Sequence, residues 1–124
     1  MKTIIIKSTE HKQVIDITDL INKDLNKKDS ICHLSLKHTT CALTTADLDP
    51  GTDLDLLDFL EKIIPKLNFR HPHNPKHTPD HILSSFIGTS ITLPVKNGKL
   101  LLGSWQRVIL IEFNGPRQRE LVIF

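Results

Sequence analysis

Apolar and polar residues alternate along much of this chain, and a helical period replaces the alternation only in short stretches. Residues 2 to 8 are dominated by β-branched side chains and read as a strand. Residues 12 to 17 read as a second strand, and the Glu10–His11 connection suits a hairpin between the two. Thr18 has the character of an N-cap. Leu20, Ile21 and Leu25 then recur at helical spacing, which predicts a helix over residues 19 to 27. From Ser30 the period changes to two. Cys32, Leu34 and Leu36 share one face, and the same count puts His38 on that face at the strand's end, just before Thr39 and Thr40. Residues 41 to 45 continue as a strand, and Asp47 to Gly51 form a turn by composition. Thr52 can cap a helix whose stripe is Leu57, Leu60, Ile63 and Ile64, and Pro65 ends it.

Three prolines between Phe69 and His81 keep the first part of that stretch out of helix. Thr78 and Pro79 then suit the N-cap and first turn of a helix running toward Phe86, and Gly88 breaks it. Ser90 to Val95 is strand-like, and Asn97-Gly98 is a type I′ hairpin signal. Trp105 to Phe113 makes a long strand whose Val-Ile-Leu-Ile middle is apolar throughout, which predicts burial on both faces. Arg117 to Phe124 is a last strand, and its Leu-Val-Ile-Phe end needs cover from the core or from another subunit. The order β-β-α-β-β-α-α-β-β-β-β describes one α+β domain over residues 1 to 124. It is a mostly antiparallel sheet or sandwich with two or three helices.

Composition narrows the function. The chain has 124 residues, enough for one domain with a real core, and a net charge of only +2. Its lysines and arginines are scattered, so no nucleic-acid partner is expected. No apolar run is long enough to span a bilayer, so no membrane partner is expected either. The opening Ile4-Ile5-Ile6 run is too short for a signal core, which makes a cytoplasmic setting the expectation. Cys32 and Cys41 lack metal-type spacing and are expected to be reduced; Cys41 is either a buried residue or a thiol nucleophile.

The chemistry concentrates between Phe69 and His81, a stretch holding four of the seven histidines. His71 lies on a stiff loop and His81 in a first helical turn, so their rings can converge for metal or phosphate chemistry; the alternative is a polar surface loop. His38 is either a hydrogen-bonded core residue or a third member of the cluster. Five aspartates lie between Asp47 and Asp58, suited to capping and solubility or to joining the histidines. Arg117 and Arg119 are two apart, on one strand face. Their guanidiniums suit a phosphate or carboxylate, or pair with Glu112 or Glu120.

Several motifs then coincide: His38-Thr39-Thr40, Asp49-Pro50, Pro79-x-His81, Gly88-Thr89-Ser90, Leu102-Gly103-Ser104-Trp105-Gln106 and Gly115-Pro116-Arg117-x-Arg119. In this order, over nearly the whole chain, they resemble the YjbQ family, also called secondary thiamine-phosphate synthase. The resemblance implies a homotrimer with sites near subunit boundaries. It implies metal ligation by His38, His71 and His81, with a divalent ion such as zinc as cofactor. The family's acidic positions fall on Asp55 and on Asp47, where the family usually carries a glutamate.

On this reading Thr39, Thr40, Trp105, Gln106, Arg117 and Arg119 would hold a small phosphorylated metabolite, with Asp55 and Asp47 as catalytic carboxylates. The implied activity joins a pyrimidine diphosphate to a thiazole phosphate with loss of pyrophosphate, and is weak or secondary. Two alternatives use the same residues: a metal-dependent hydrolase of a phosphorylated metabolite, and a non-catalytic trimeric binder of anionic metabolites.

Overall fold

A computed structural model describes residues 1–124. Its elements are β1 (Lys2–Lys7), β2 (Gln13–Asp16), α1 (Thr18–Asn22), β3 (Ile31–Leu36), β4 (Cys41–Asp47), α2 (Thr52–Lys62), a 3-10 turn (Pro75–His77), α3 (Thr78–Ile87), β5 (Ser90–Lys96), β6 (Lys99–Leu100), β7 (Gln106–Glu112) and β8 (Gln118–Ile123). All strand pairs are antiparallel. One sheet has five strands in the order β1-β8-β3-β5-β6, and the other has three in the order β2-β7-β4. The fold is α+β, as the alternation of periods predicts.

The layers follow from the period of two. Val108 and Leu110 of β7 face the five-stranded sheet, where they meet Leu34, Leu36, Leu121 and Ile4. Ile109, Ile111 and Phe113 point the other way, onto Leu60 of α2 and Leu83 of α3. The three-stranded sheet is therefore a middle layer, dry on both sides, as the unbroken apolar run predicts.

The expected hairpin between the first two strands does not form. β1 pairs with β8, with Lys2 opposite Ile123, while β2 crosses to the other sheet and pairs with β7. Each strand finds a long apolar partner elsewhere. The helix expected over residues 19 to 27 stops at Asn22, whose side-chain carbonyl accepts the Leu100 N–H at 2.9 Å. Thr18 lies inside that helix, its hydroxyl bonded to the Val108 N–H at 2.8 Å, and Ile17 is the cap. The Asn97-Gly98 turn forms with positive φ at both residues.

Two polar residues also sit on the inward rows. Glu112 continues the row of Val108 and Leu110, and Arg119 that of Leu121 and Ile123. They meet between the sheets at 0% and 2% exposure. Arg119 Nε donates to both Glu112 oxygens, at 2.9 and 3.2 Å, and Nη2 completes the fork. Nη2 also donates to the Thr40 carbonyl at 3.0 Å and hydroxyl at 2.8 Å. Glu112 further accepts from Ser8 Oγ at 2.7 Å and the Asn114 N–H at 3.2 Å. Burial by itself would raise the Glu112 pKa, but the bonds from Arg119, Ser8 and Asn114 outweigh it and hold the carboxyl below its ordinary value.

Removing one partner strands a buried charge, so Arg119→Met should lower the unfolding free energy by about 3–5 kcal/mol. The double variant Arg119→Met with Glu112→Leu should recover most of that loss in urea unfolding. Because the Glu112 pKa is lowered on folding, its contribution is complete above the ordinary value of 4.5 and is lost as pH falls through the lower folded value. Unfolding followed from pH 6 to 3 should show this acid-side loss shrinking in the double variant.

Candidate functional site

The ion pair closes one end of the inter-sheet core, and a polar pocket of about 430 Å³ opens just outside it. Its lining is Lys37, His38, Thr39, Thr40, His77, His81, Asn114, Arg117 and Arg119. No carboxylate lines it. Three chain segments build this wall. The end of β3 carries Lys37 to Thr40, the turn after β7 carries Asn114 and Arg117, and the start of α3 brings His77 and His81. Arg117 is exposed and makes no ion pair, whereas Lys37 reaches Glu120 at 3.1 Å. Of the Arg119 nitrogens, Nη1 makes no hydrogen bond to the protein and is the one left for the pocket.

The imidazoles can be assigned from their partners, because a backbone N–H only donates and a carbonyl only accepts. His38 Nε2 accepts the Glu120 N–H at 2.7 Å, so its lone pair is taken. Burial first, and then the charge of Arg119, lower the His38 pKa and so favour the neutral ring. His71 Nδ1 accepts the N–H groups of His73 at 3.3 Å and Asn74 at 3.2 Å, closing the proline-rich loop. His77 Nε2 faces the Asn74 amide nitrogen at 3.3 Å, which donates to it because the amide oxygen already accepts the Lys76 N–H. His81 is the exception. Its Nδ1 donates to the Thr39 carbonyl at 3.0 Å, which leaves Nε2 with an uncommitted lone pair. The His71 and His81 rings stack, centroids 5.0 Å apart and planes 6° from parallel.

The other expected site residues lie elsewhere. Asp47 ends β4 opposite Gln106, while the pocket lies beyond Cys41 and its partner Glu112, so the length of a seven-residue strand, about 20 Å at ~3.3 Å per residue, separates them. Gln106 is tied to Thr45 at 3.0 Å and Gly103 at 3.0 Å, and Trp105 is 72% exposed beside it. Asp55 is exposed in the first turn of α2, which follows β4 at that far end. Within one chain, then, the structure gathers His38, Thr39, Thr40, His81, Arg117 and Arg119, with His71 behind His81. It does not bring Asp47, Asp55, Trp105 or Gln106 to them. Sequence reasoning missed Lys37 and Asn114, both ordinary polar residues next to motif positions. Cys32 and Cys41 are free and buried, and burial pushes the Cys41 thiol up to about 11, which leaves no nucleophilic thiolate.

The model of the family described as "UPF0047 protein YjbQ-like" matches residues 2–124. The chain belongs to the YjbQ family. A UPF0047 protein of Archaeoglobus fulgidus is 33% identical over 119 residues, covering 95% of this chain and 94% of that protein. One of Methanocaldococcus jannaschii is 37% identical over 122 residues, covering 95% and 88%. Among solved structures, a conserved hypothetical protein of Thermus thermophilus superposes with a TM-score of 0.90 at 30% identity, covering 100% of this chain and 98% of that one. A structure from Sulfolobus solfataricus, described as a YbjQ-like protein of unknown function, has a TM-score of 0.85 at 26% identity and covers 98% and 92%.

These findings overturn the functional expectation. The YjbQ relatives above carry no synthase or transferase name; they are described as UPF0047, hypothetical or of unknown function. The expected metal set fails the fit as well. No three His, Cys, Asp or Glu side chains are grouped so as to hold a metal ion. The reason is in the hydrogen bonds: His38 and His71 already commit the lone pairs that ligation needs. Thiamine-phosphate synthesis, metal-dependent hydrolysis and zinc binding by His38, His71 and His81 therefore have no support in this site.

A lowered His38 pKa means that the folded state binds fewer protons than the unfolded chain below the ordinary value of 6.5. Stability should fall as pH drops from 6.5 toward the folded value. An NMR titration should place the His38 midpoint below 6.5, and His38→Ala should flatten the fall in stability over that window.

Proposed function

We propose that the pocket holds the phosphate group of a small metabolite and that His81 exchanges a proton with the bound molecule. The observation that carries this reading is a polar wall with unpaired Arg117, no carboxylate and one imidazole nitrogen free to accept. Arg117 and Arg119 Nη1 supply charge-assisted donors, and the Asn114 amide and the Thr39 and Lys37 groups add further ones. His81 is oriented by the Thr39 carbonyl in the way a general base is oriented by its own acceptor. A cytoplasmic setting suits the two free thiols.

The resemblance implies a homotrimer, and the exposed Phe59, Ile63 and Phe86, at 62%, 45% and 80% exposure, are the side chains such an assembly would cover. No helix is long and apolar enough to cross a membrane. Sedimentation should then give three times the chain mass of 14.1 kDa, and Phe86→Glu should reduce it.

Inorganic phosphate added to the labelled protein should shift the His38 and His81 ring signals in a saturable way. Arg117→Ala should weaken that binding roughly tenfold or more, the effect of losing a hydrogen bond to a charged group. The His81 ring should show a protonated Nδ1 and a bare Nε2, and the phosphate should move the Nε2 resonance most. Absence of saturation, or unchanged affinity in Arg117→Ala, would refute the reading.

A further inference from the structure

The first turn of α3 has two sides. His77 and His81 face the polar pocket, while Pro79 and Asp80 line a different and larger space of about 680 Å³. That space exists because α2 rests on β2 and α3 on β4, leaving a gap between them. Its walls are Leu57, Leu60 and Ile64 on one side and Phe69 and Leu83 on the other, and Phe113 forms its floor. The volume lies within the range of small-molecule sites, about 300–1,000 Å³, and the wall chemistry is the apolar one such sites use.

The charges around this cleft are lopsided. Four lysines line it against Glu61 and Asp80. Lys12 is already committed, with Nζ 3.3 Å from Asp80 Oδ1 and 3.3 Å from the Phe113 carbonyl. Lys62, Lys66 and Lys76 make no ion pair, and neither does Glu61. Three free cations against one free acid favour a guest with a negative end, and the aliphatic walls favour one with an apolar body. Bare phosphate fits neither wall, and an organic cation would meet the lysines.

We infer that the cleft between α2 and α3 binds a small amphipathic anion, an aliphatic or aromatic body carrying one carboxylate or sulfonate. The body lies against Leu60, Leu83 and Phe113, and the anionic end sits at the mouth among Lys62, Lys66 and Lys76. The site is separate from the phosphate-binding pocket, being divided from it by one helical turn.

Calorimetry on the full chain with decanoate, decanol and decyltrimethylammonium, all below their micelle concentrations, tests this. Decanoate should bind saturably, decanol should bind roughly two- to fivefold more weakly, as the loss of exposed charge pairing implies, and the cation should not bind. Leu67→Trp should fill the mouth and weaken decanoate at least about tenfold, since a bulky side chain then occupies the guest's volume. Leu67 is 61% exposed, so this variant should fold. Lys66→Glu should weaken decanoate and leave decanol unchanged. Equal affinity for the three head groups would overturn the inference, as would displacement of decanoate by phosphate or an unaffected Leu67→Trp. Decanoate binding that occurs only as the sedimenting mass falls would show another copy of the chain to be the occupant, and would overturn it too.

Discussion

Between the two sheets, at one end of a largely apolar core, the Arg119 guanidinium meets the Glu112 carboxylate, both almost fully buried. Taking two ions out of water costs several kcal/mol each, and only good geometry with every remaining donor and acceptor used offsets it. The surroundings meet all of that demand but the Arg119 Nη1 donors, which are left for the pocket. Thr40, Ser8 and the Asn114 N–H each take up part of the pair's remaining capacity. The backbone has to come close to do so. At Gly115 a Cβ would stand 2.2 Å from the Glu10 carbonyl and 2.9 Å from Glu112 Cγ, so only a glycine fits where the chain passes the ion pair. The same turn delivers Asn114 and Arg117 to the pocket. The anion grip and the lock that holds it are thus one construction, half dry and half wet.

Much of this was legible, and the way it was legible is instructive. Three inward rows of the sandwich run apolar and then turn polar at the same end: Leu34 and Leu36 lead to His38, Val108 and Leu110 to Glu112, and Ile123 and Leu121 to Arg119. A period of two read along each strand finds those rows, and a charge interrupting an apolar row marks a paired ion. The meeting of the three ends was not legible, because it depends on which strand pairs with which. The failed hairpin between the first two strands is the same shortfall: local turn chemistry allowed it, while β7 and β8 offered longer apolar partners. Asp47, Trp105 and Gln106 misled for a related reason. They sit in a motif next to the right strands but at their opposite ends, and sequence proximity along β4 and β7 does not say which end.

The histidines show why residue type alone does not name a chemistry. Their number between Phe69 and His81 invites a metal, yet two of the three expected ligands spend an imidazole lone pair on shaping backbone: His71 folds the proline-rich loop, and His38 holds the start of β8. Only the donor and acceptor inventory around each ring separates scaffolding from a nitrogen free to react, and among the pocket histidines that inventory singles out His81. The first turn of α3, which carries it, is also the partition between a polar and an apolar recess, so one short stretch of helix sets the character of both.

The pairing of β1 with β8 joins residues more than a hundred positions apart, Lys2 with Ile123. During synthesis the earlier strand emerges from the ribosome long before its partner exists. Until β8 is available, β1 has no strand to pair with and Glu112 lacks its Arg119 counterion. Closure of so long a loop is the slow kind of folding step, so the sandwich and the polar pocket at its end stay unfinished until β8 slots in.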